Sequence, residues 1–156
     1  MELNESSLIE NELTLRNLKL PKEVLETRRS TARWLALSLG IINPGESRLS
    51  AVAVLDALVH YRFVKNADPT IEELKSYITA NWEDINEKTL RYHLLRMKNI
   101  GILENEKGRF YLRQDQRNSS DPDKWISFIL EEEYGGIAKK IGEAIRELQL
   151  KGEASR

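Results

Sequence analysis

Residues 86–112, N-E-K-T-L-R-Y-H-L-L-R-M-K-N-I-G-I-L-E-N-E-K-G-R-F-Y-L, switch from the 3.6-residue hydrophobic period of a helix to the alternation of a strand within one short stretch. A chain carrying this switch must set a helix directly before a hairpin, which restricts its architecture more than any other segment. At about 100° of rotation per residue, Leu90, Leu94, Met97 and Gly101 share one side of the helix, and Lys88, Tyr92, Leu95 and Asn99 share the other. Arg91 and Arg96 flank the outward side. That side therefore offers guanidinium, ammonium, phenol and amide groups, which pair with phosphates and base edges. Asn86 is a good N-cap, Glu87 lies in the first turn where the helix dipole favours a carboxylate, and Gly101 is the stop. Beyond it, Ile102-Leu103-Glu104 runs out, Asn105-Glu106-Lys107-Gly108 turns, and Arg109-Phe110-Tyr111-Leu112 returns.

This stretch resembles the recognition helix and wing of the winged helix-turn-helix superfamily. The matching residues are Thr89-Leu90, His93-Leu94, Met97, Gly101-Ile102-Leu103, then Gly108-Arg109, Tyr111 and Leu112. The resemblance covers roughly residues 48–113 and is specific to the superfamily, not to one regulator. It implies a mainly α fold with a small β-hairpin wing, extended here by C-terminal helix, and a double-stranded DNA partner without naming a site. On that basis Lys88, Thr89, Arg91, Tyr92, Leu95 and Arg96 are expected in the major groove, with Lys107 and Arg109 on flanking backbone. Two copies would read half-sites about 34 to 36 Å apart, or a multiple of that.

Composition allows this reading. A chain of 156 residues with 40% hydrophobic content can bury a core, and the absence of cysteine removes disulfides, thiol nucleophiles and cysteine zinc sites together. Met1 leads into acidic and polar residues, and the most hydrophobic stretch, 49–64, is broken by Asp56, His60 and Arg62, so a soluble cytoplasmic protein without membrane attachment is expected. The formal net charge is only -1, but residues 84–117 hold eight Lys/Arg against five acids, whereas 1–20 and 121–156 are each acidic by two and 21–83 balance. The positive charge thus gathers on the presumed recognition helix and wing, and its modest size predicts weak non-specific affinity.

Residues 1–20, with Leu13, Leu15, Leu18 and Leu20, read as an extended arm, and residues 21–117 as the winged-helix domain. Pro21 suits the first position of a helix to about Leu39 with Gly40 as stop; Val24, Arg28, Thr31, Leu35 and Leu39 share its stripe, near Trp34 and Leu37. Its Lys22, Arg28, Arg29 and Arg33 read either as solvated charges or as phosphate contacts. A second helix, 47–65, carries Val52, Leu55, Val59 and Phe63 and should be the most buried. Thr70 and Glu73 form a capping box for a third, with Ile71, Leu74 and Ile78 inward and its end near Asn81. The spacing from Leu74 to Thr89 is longer than in compact relatives of this superfamily and lacks the usual turn glycine, so Trp82 and Ile85 are expected to plug the turn.

Residues 118–156 read as a helical dimerisation segment beginning at Ser119-Ser120-Asp121-Pro122. Trp125, Phe128 and Ile129, then Ile137, Ile141, Ala144, Ile145 and Leu148, form stripes on either side of Gly135-Gly136, which should kink or split the helix. The stripe calls for a partner, either a second copy in a homodimer or the chain's own helix beginning at Pro21.

No phosphate loop, nucleophile elbow or His-Glu-x-x-His pattern occurs, so neither an enzyme nor a cofactor is expected, and any small-molecule effector is unspecified. His60 and His93 read as satisfied boundary residues, and Glu131-Glu132-Glu133 as a solvated face. Leu95 fits a thymine methyl or a protein interface, Tyr92 a phosphate or base, and Tyr111 wing packing. Lys107 and Arg109 fit a charged hairpin tip as well as a DNA contact. The main reading is a sequence-specific transcriptional regulator. The alternatives are a winged-helix protein-interaction module in a larger assembly, and a replication or plasmid-maintenance protein using the same DNA chemistry.

Overall fold

Caps, apolar spacing and left-handed turns divide the chain into helices α1 (Arg28–Ser38), α2 (Ser50–His60), α3 (Ile71–Asn81) and α4 (Glu87–Asn99), strands β1 (Leu103–Glu106) and β2 (Arg109–Leu112), and helix α5 (Pro122–Ala154). The structure, a computed structural model, describes residues 3–114 and 121–154. The fold is mainly helical with one small antiparallel hairpin. Two compact units result, Met1–Arg113 and Gln114–Arg156. The expected boundary at 117/118, the Ser119-Ser120 cap signal, and the charges of Asp115 and Arg117 lie outside the described residues.

The core of the first unit is built on α2. Ala51 through Leu55, Ala57 and Leu58 are all buried, because this helix is covered by α1, α3 and α4 and its sequence is apolar around most of its circumference. Past His60 it widens into a π turn, Tyr61–Lys65, and stops on left-handed Asn66. The capping box of α3 forms as expected: Thr70 Oγ1 accepts from Glu73 N–H while Glu73 Oε1 accepts from Thr70 N–H, and Ile71, Leu74 and Ile78 are buried.

The first helix departs from expectation. Lys22–Glu26 is a 3-10 turn, and α1 starts only at Arg28, after Thr27. Thr27 is extended and its hydroxyl accepts the Ser30 N–H at 3.1 Å; the Ser30 and Thr31 hydroxyls in turn donate to the Val24 carbonyl at 2.5 and 2.9 Å. Two hydroxyls thus satisfy backbone that a continuous helix would have used, and Val24 leaves the expected stripe for Ala32, Ala36 and Leu39.

The arm departs from a wholly extended path at a 3-10 turn, Glu5–Leu8; residues 9–21 form no helix or strand and are fastened to the end of α1. Arg16 Nη1 donates to the Leu37 and Ile42 carbonyls at 2.8 and 2.9 Å, its Nη2 donates to Asn43 Oδ1 at 2.8 Å, and its backbone N–H donates to Ser38 O. A cation therefore sits on the carbonyls of a helix C-terminus, where the dipole favours it. Gly40, at φ +72°, lets the arm approach, since a Cβ there would strike the Thr14 carbonyl oxygen.

The Trp82–Asn86 turn is plugged as expected. Ile85 is buried, and Trp82 Nε1 donates to Asp56 Oδ2 at 3.0 Å, beside a 2.8 Å bond from the Tyr77 hydroxyl to the same oxygen. Burial, the Asp56 hydrogen bond and that carboxylate's charge push the Tyr77 phenol up to about 12.

The hairpin is tighter than expected. Leu103 pairs with Leu112 and Glu106 with Arg109, leaving only Lys107 and Gly108 in the turn, both at positive φ, 52° and 76°. Strand residues thus replace half of the expected four-residue turn, because two left-handed residues suit the twist of the flanking strands. The other edge of β2 meets the residues before α3: Phe110 N–H donates to Pro69 O at 2.9 Å, and Thr70 bridges Arg109.

In the second unit α5 runs unbroken for 33 residues through Gly135-Gly136. The expected split does not occur, because glycine lowers helix propensity without removing a backbone donor, as proline would. Asp121 accepts the Asp123 N–H at 2.9 Å and caps its start. Trp125 and Ile129 are buried and Phe128 is half-buried, so within the expected dimerisation set they differ from Ile137, Ile141, Ile145 and Leu148, which are exposed.

Candidate nucleic-acid interface

Helix α4 begins where the sequence sets its cap: Asn86 Oδ1 accepts the Thr89 N–H at 2.8 Å. It ends at Ile100, with Gly101 at φ +90° releasing the chain towards β1. Leu90, His93, Leu94 and Met97 are buried, which fixes the rotation of the helix and turns the remaining residues outward.

Lys88, Arg91, Tyr92, Leu95 and Arg96 are exposed, Tyr92 at 56% and Leu95 at 57%. These side chains therefore form an unpacked face of α4 within the first unit. Thr89 is half-buried and lies at the margin. Lys107, at the hairpin tip, is exposed.

Helix and hairpin border a common groove of about 150 Å³, with Arg91, Leu95 and Lys98 on one wall and Glu104, Asn105 and Phe110 on the other. Lys98 Nζ donates to Asn105 Oδ1 at 2.8 Å and ties the walls together. Sequence reasoning left Lys98 and Asn105 out of the site. The signal was present, since positions 91, 95 and 98 follow i, i+4, i+7 spacing and mark the helix stripe that faces the hairpin.

The cations differ in how firmly they are engaged. Among the described residues Lys88 has no hydrogen-bond or ion-pair partner in its own chain. Arg91 pairs with Glu87 at 3.0 Å in an exposed i, i+4 bridge, an interaction that solvent and salt make weak. Arg96 lies on the opposite flank from the groove, donating to Ile41 O at 3.3 Å with its guanidinium 5.9 Å from the Tyr92 ring. Arg109 is the most firmly held, by a 2.7 Å bond to Asp68 O and a 3.6 Å ion pair with Glu73. Its placement fastens β2 to the start of α3, a structural task the sequence did not reveal.

Of the two histidines, His60 is half-buried as expected of a boundary residue, whereas His93 is buried, because its ring turns inward to Ser50. Ser50 Oγ and His93 Nε2 share a hydrogen bond of 2.9 Å, joining α2 to α4, and burial, then the Arg96 charge, lowers the His93 pKa. His60 stacks on Tyr77 with centroids 4.6 Å apart, its pKa lowered by desolvation and then by Arg28. Among the described residues no group of three or more His, Asp or Glu is arranged to hold a metal ion, and no helix is long and apolar enough to cross a membrane.

No family model, curated protein or solved structure matches the chain.

Proposed function

We propose that the chain is a winged-helix protein that binds double-stranded DNA sequence-specifically and regulates transcription. In this reading α4 enters the major groove and the β1–β2 hairpin follows the adjoining backbone as a wing. The observation that carries it is the outward face of α4, where Lys88, Arg91, Tyr92 and Leu95 are exposed, set beside the hairpin across a groove that Arg91 and Leu95 help to line. Lys88 and Arg91 supply charge for phosphates or guanine edges, Tyr92 a hydroxyl, and Leu95 an apolar contact suited to a thymine methyl. Lys107 at the turn contacts backbone. Arg96 is a flank contact, and Arg109 orients the wing through Asp68 and Glu73. The same chemistry would serve a replication or plasmid-maintenance protein.

A second reading is favoured by one specific feature: Tyr92 and Leu95 together make an apolar surface beside a charge-compensated Arg91–Glu87 pair, which also suits a protein partner. Selection of duplex fragments from a random pool by the full-length protein distinguishes the two. The DNA reading predicts an enriched motif. In that motif, Arg91→Ala is expected to cost about 1 to 3 kcal/mol and to relax one base position. Recovery of no preferred sequence, with Arg91→Ala neutral, supports the protein-partner reading.

A further inference from the structure

The exposed half of α5 carries a pattern that its isolated state does not explain. From Glu131 to Ala154 every residue is exposed except the half-buried Glu133, Tyr134 and Gly142. A helix without tertiary packing is marginal in water, and Gly135, Gly136, Gly142 and Gly152 weaken this one further. Yet most of its apolar side chains fall in one register, with Ile145 and Leu150 outside it. Leu130, Tyr134, Ile137, Ile141, Ala144 and Leu148 follow a four-three-four-three-four spacing, which keeps them in one seam along two supercoiled helices. Ile141 is 55% exposed and Leu148 70%, and Gly135, Gly136 and Gly142 all fall away from the seam.

Charges beside the seam distinguish the two directions in which identical helices could pair. Tyr134, Ile141 and Leu148 occupy the first core position of each heptad, and Leu130, Ile137 and Ala144 the second. The flanking positions before each first core residue are Glu133, Lys140 and Glu147. In a parallel pair of identical helices these face the partner's Ala138, Ile145 and Gly152, so no like charges meet at these flanking positions and the Lys140 stem covers the partner's Ile145; the seam ends at Leu148, before Lys151. In the antiparallel pair that aligns the same layers, Glu133 faces the partner's Glu147 and Lys140 faces the partner's Lys140. Like charges at such positions oppose association.

We infer that α5 pairs with a second copy of this chain as a parallel, in-register two-stranded coiled coil, with Ile137, Ile141, Ala144 and Leu148 each meeting its own counterpart. Trp125, Phe128 and Ile129 are not part of it; Ile145 lies at its edge. The inference stands apart from the DNA reading, because it uses only α5.

Single cysteines in the full-length, naturally cysteine-free chain test it under mild oxidation, with sedimentation equilibrium giving the mass. Expected are a mass of two chains, disulfide dimers from Ala144→Cys, and none from Lys139→Cys on the outer face. Ile141→Glu, exposed in the single chain, should return the mass to one chain with the unfolding midpoint of the first unit unchanged. A monomeric or tetrameric wild type would overturn the inference, as would a dimer that survives Ile141→Glu. So would cross-linking between Ala144→Cys and Tyr134→Cys chains without Ala144→Cys self-pairing, which marks the antiparallel arrangement. No DNA enters these assays, so their failure leaves the duplex-binding proposal standing, and failure to bind DNA leaves the coil standing.

Discussion

Helices α1 and α4 look alike as charged segments, but their cations do different work. Around α1, Arg28 donates to the Tyr77 hydroxyl at 2.7 Å, the Arg29 guanidinium lies 4.6 Å from the Trp82 ring, Arg33 donates to Glu46 O at 2.7 Å, and Arg16 closes the helix end. On α4, Lys88 extends into solvent, and Arg91 is held only by a neighbour one turn away. What separates them is the supply of partners nearby: loop carbonyls, Tyr77 and Trp82 surround the α1 cations, whereas Lys88 and Arg91 meet little besides Glu87. Basic residues in a sequence therefore report charge, and only the packing around them reports whether that charge remains available to a ligand.

This contrast predicts that cations near α1 act on stability and that Lys88 and Arg91 of α4 act on binding, whereas Arg96 and Lys98, bonded to Ile41 and Asn105, belong with the engaged set. The largest effect is expected from Arg16→Ala, which removes the guanidinium's bonds to two carbonyls and Asn43 and should cost about 2 to 3 kcal/mol. Urea unfolding would register it as a lower midpoint, with DNA affinity unchanged at temperatures where the protein stays folded. Joint replacement Lys88→Ala and Arg91→Ala should do the reverse: stability within about 0.5 kcal/mol of the parent, and a salt-dependence slope reduced by about 2 if both contact phosphate. A large stability loss in that variant would break the contrast.

Arg109 sharpens it further, because it belongs to the hairpin yet is engaged like the cations of α1. Arg109→Ala should lower stability by about 1 kcal/mol through the lost Asp68 and Glu73 contacts, leaving the salt slope of DNA binding unaltered. A fall in slope by one contact would return Arg109 to the DNA-binding set. The smallest effect concerns Tyr77 and is read in its pH dependence. Its folded pKa is raised from 10.0 to about 12, so its contribution is fully present below pH 10 and is lost as pH rises from there through about 12. Tyr77→Phe should remove that part of the alkaline slope in a pH series of unfolding midpoints.

Legibility followed the range of the interactions. The Thr70–Glu73 box, the Asn86 cap and the inward sets Ile71, Leu74, Ile78 and Leu90, Leu94, Met97 were readable because each depends on spacing within one helix. The start of α1 was not, since it depends on Ser30 and Thr31 bonding back to Val24, a local alternative that helix periodicity does not register. The bonds of Arg16 and Arg109 were not foreseen for another reason: their acceptors lie 21 and 41 residues away, beyond any local pattern. Within the candidate site, the outward set Lys88, Arg91, Tyr92 and Leu95 was legible from the helix period, whereas the Lys98–Asn105 bond required the hairpin in place.

The most direct test of the account is equilibrium binding of the full-length protein to random-sequence duplex DNA over a series of salt concentrations. If the outward face of α4 and the hairpin tip neutralise phosphates, log affinity falls linearly with log salt at about 0.9 per phosphate contact, and the Lys88→Ala, Arg91→Ala chain gives a shallower line. No measurable binding at low salt, or a slope identical in the two proteins, would contradict the assignment of this surface to DNA.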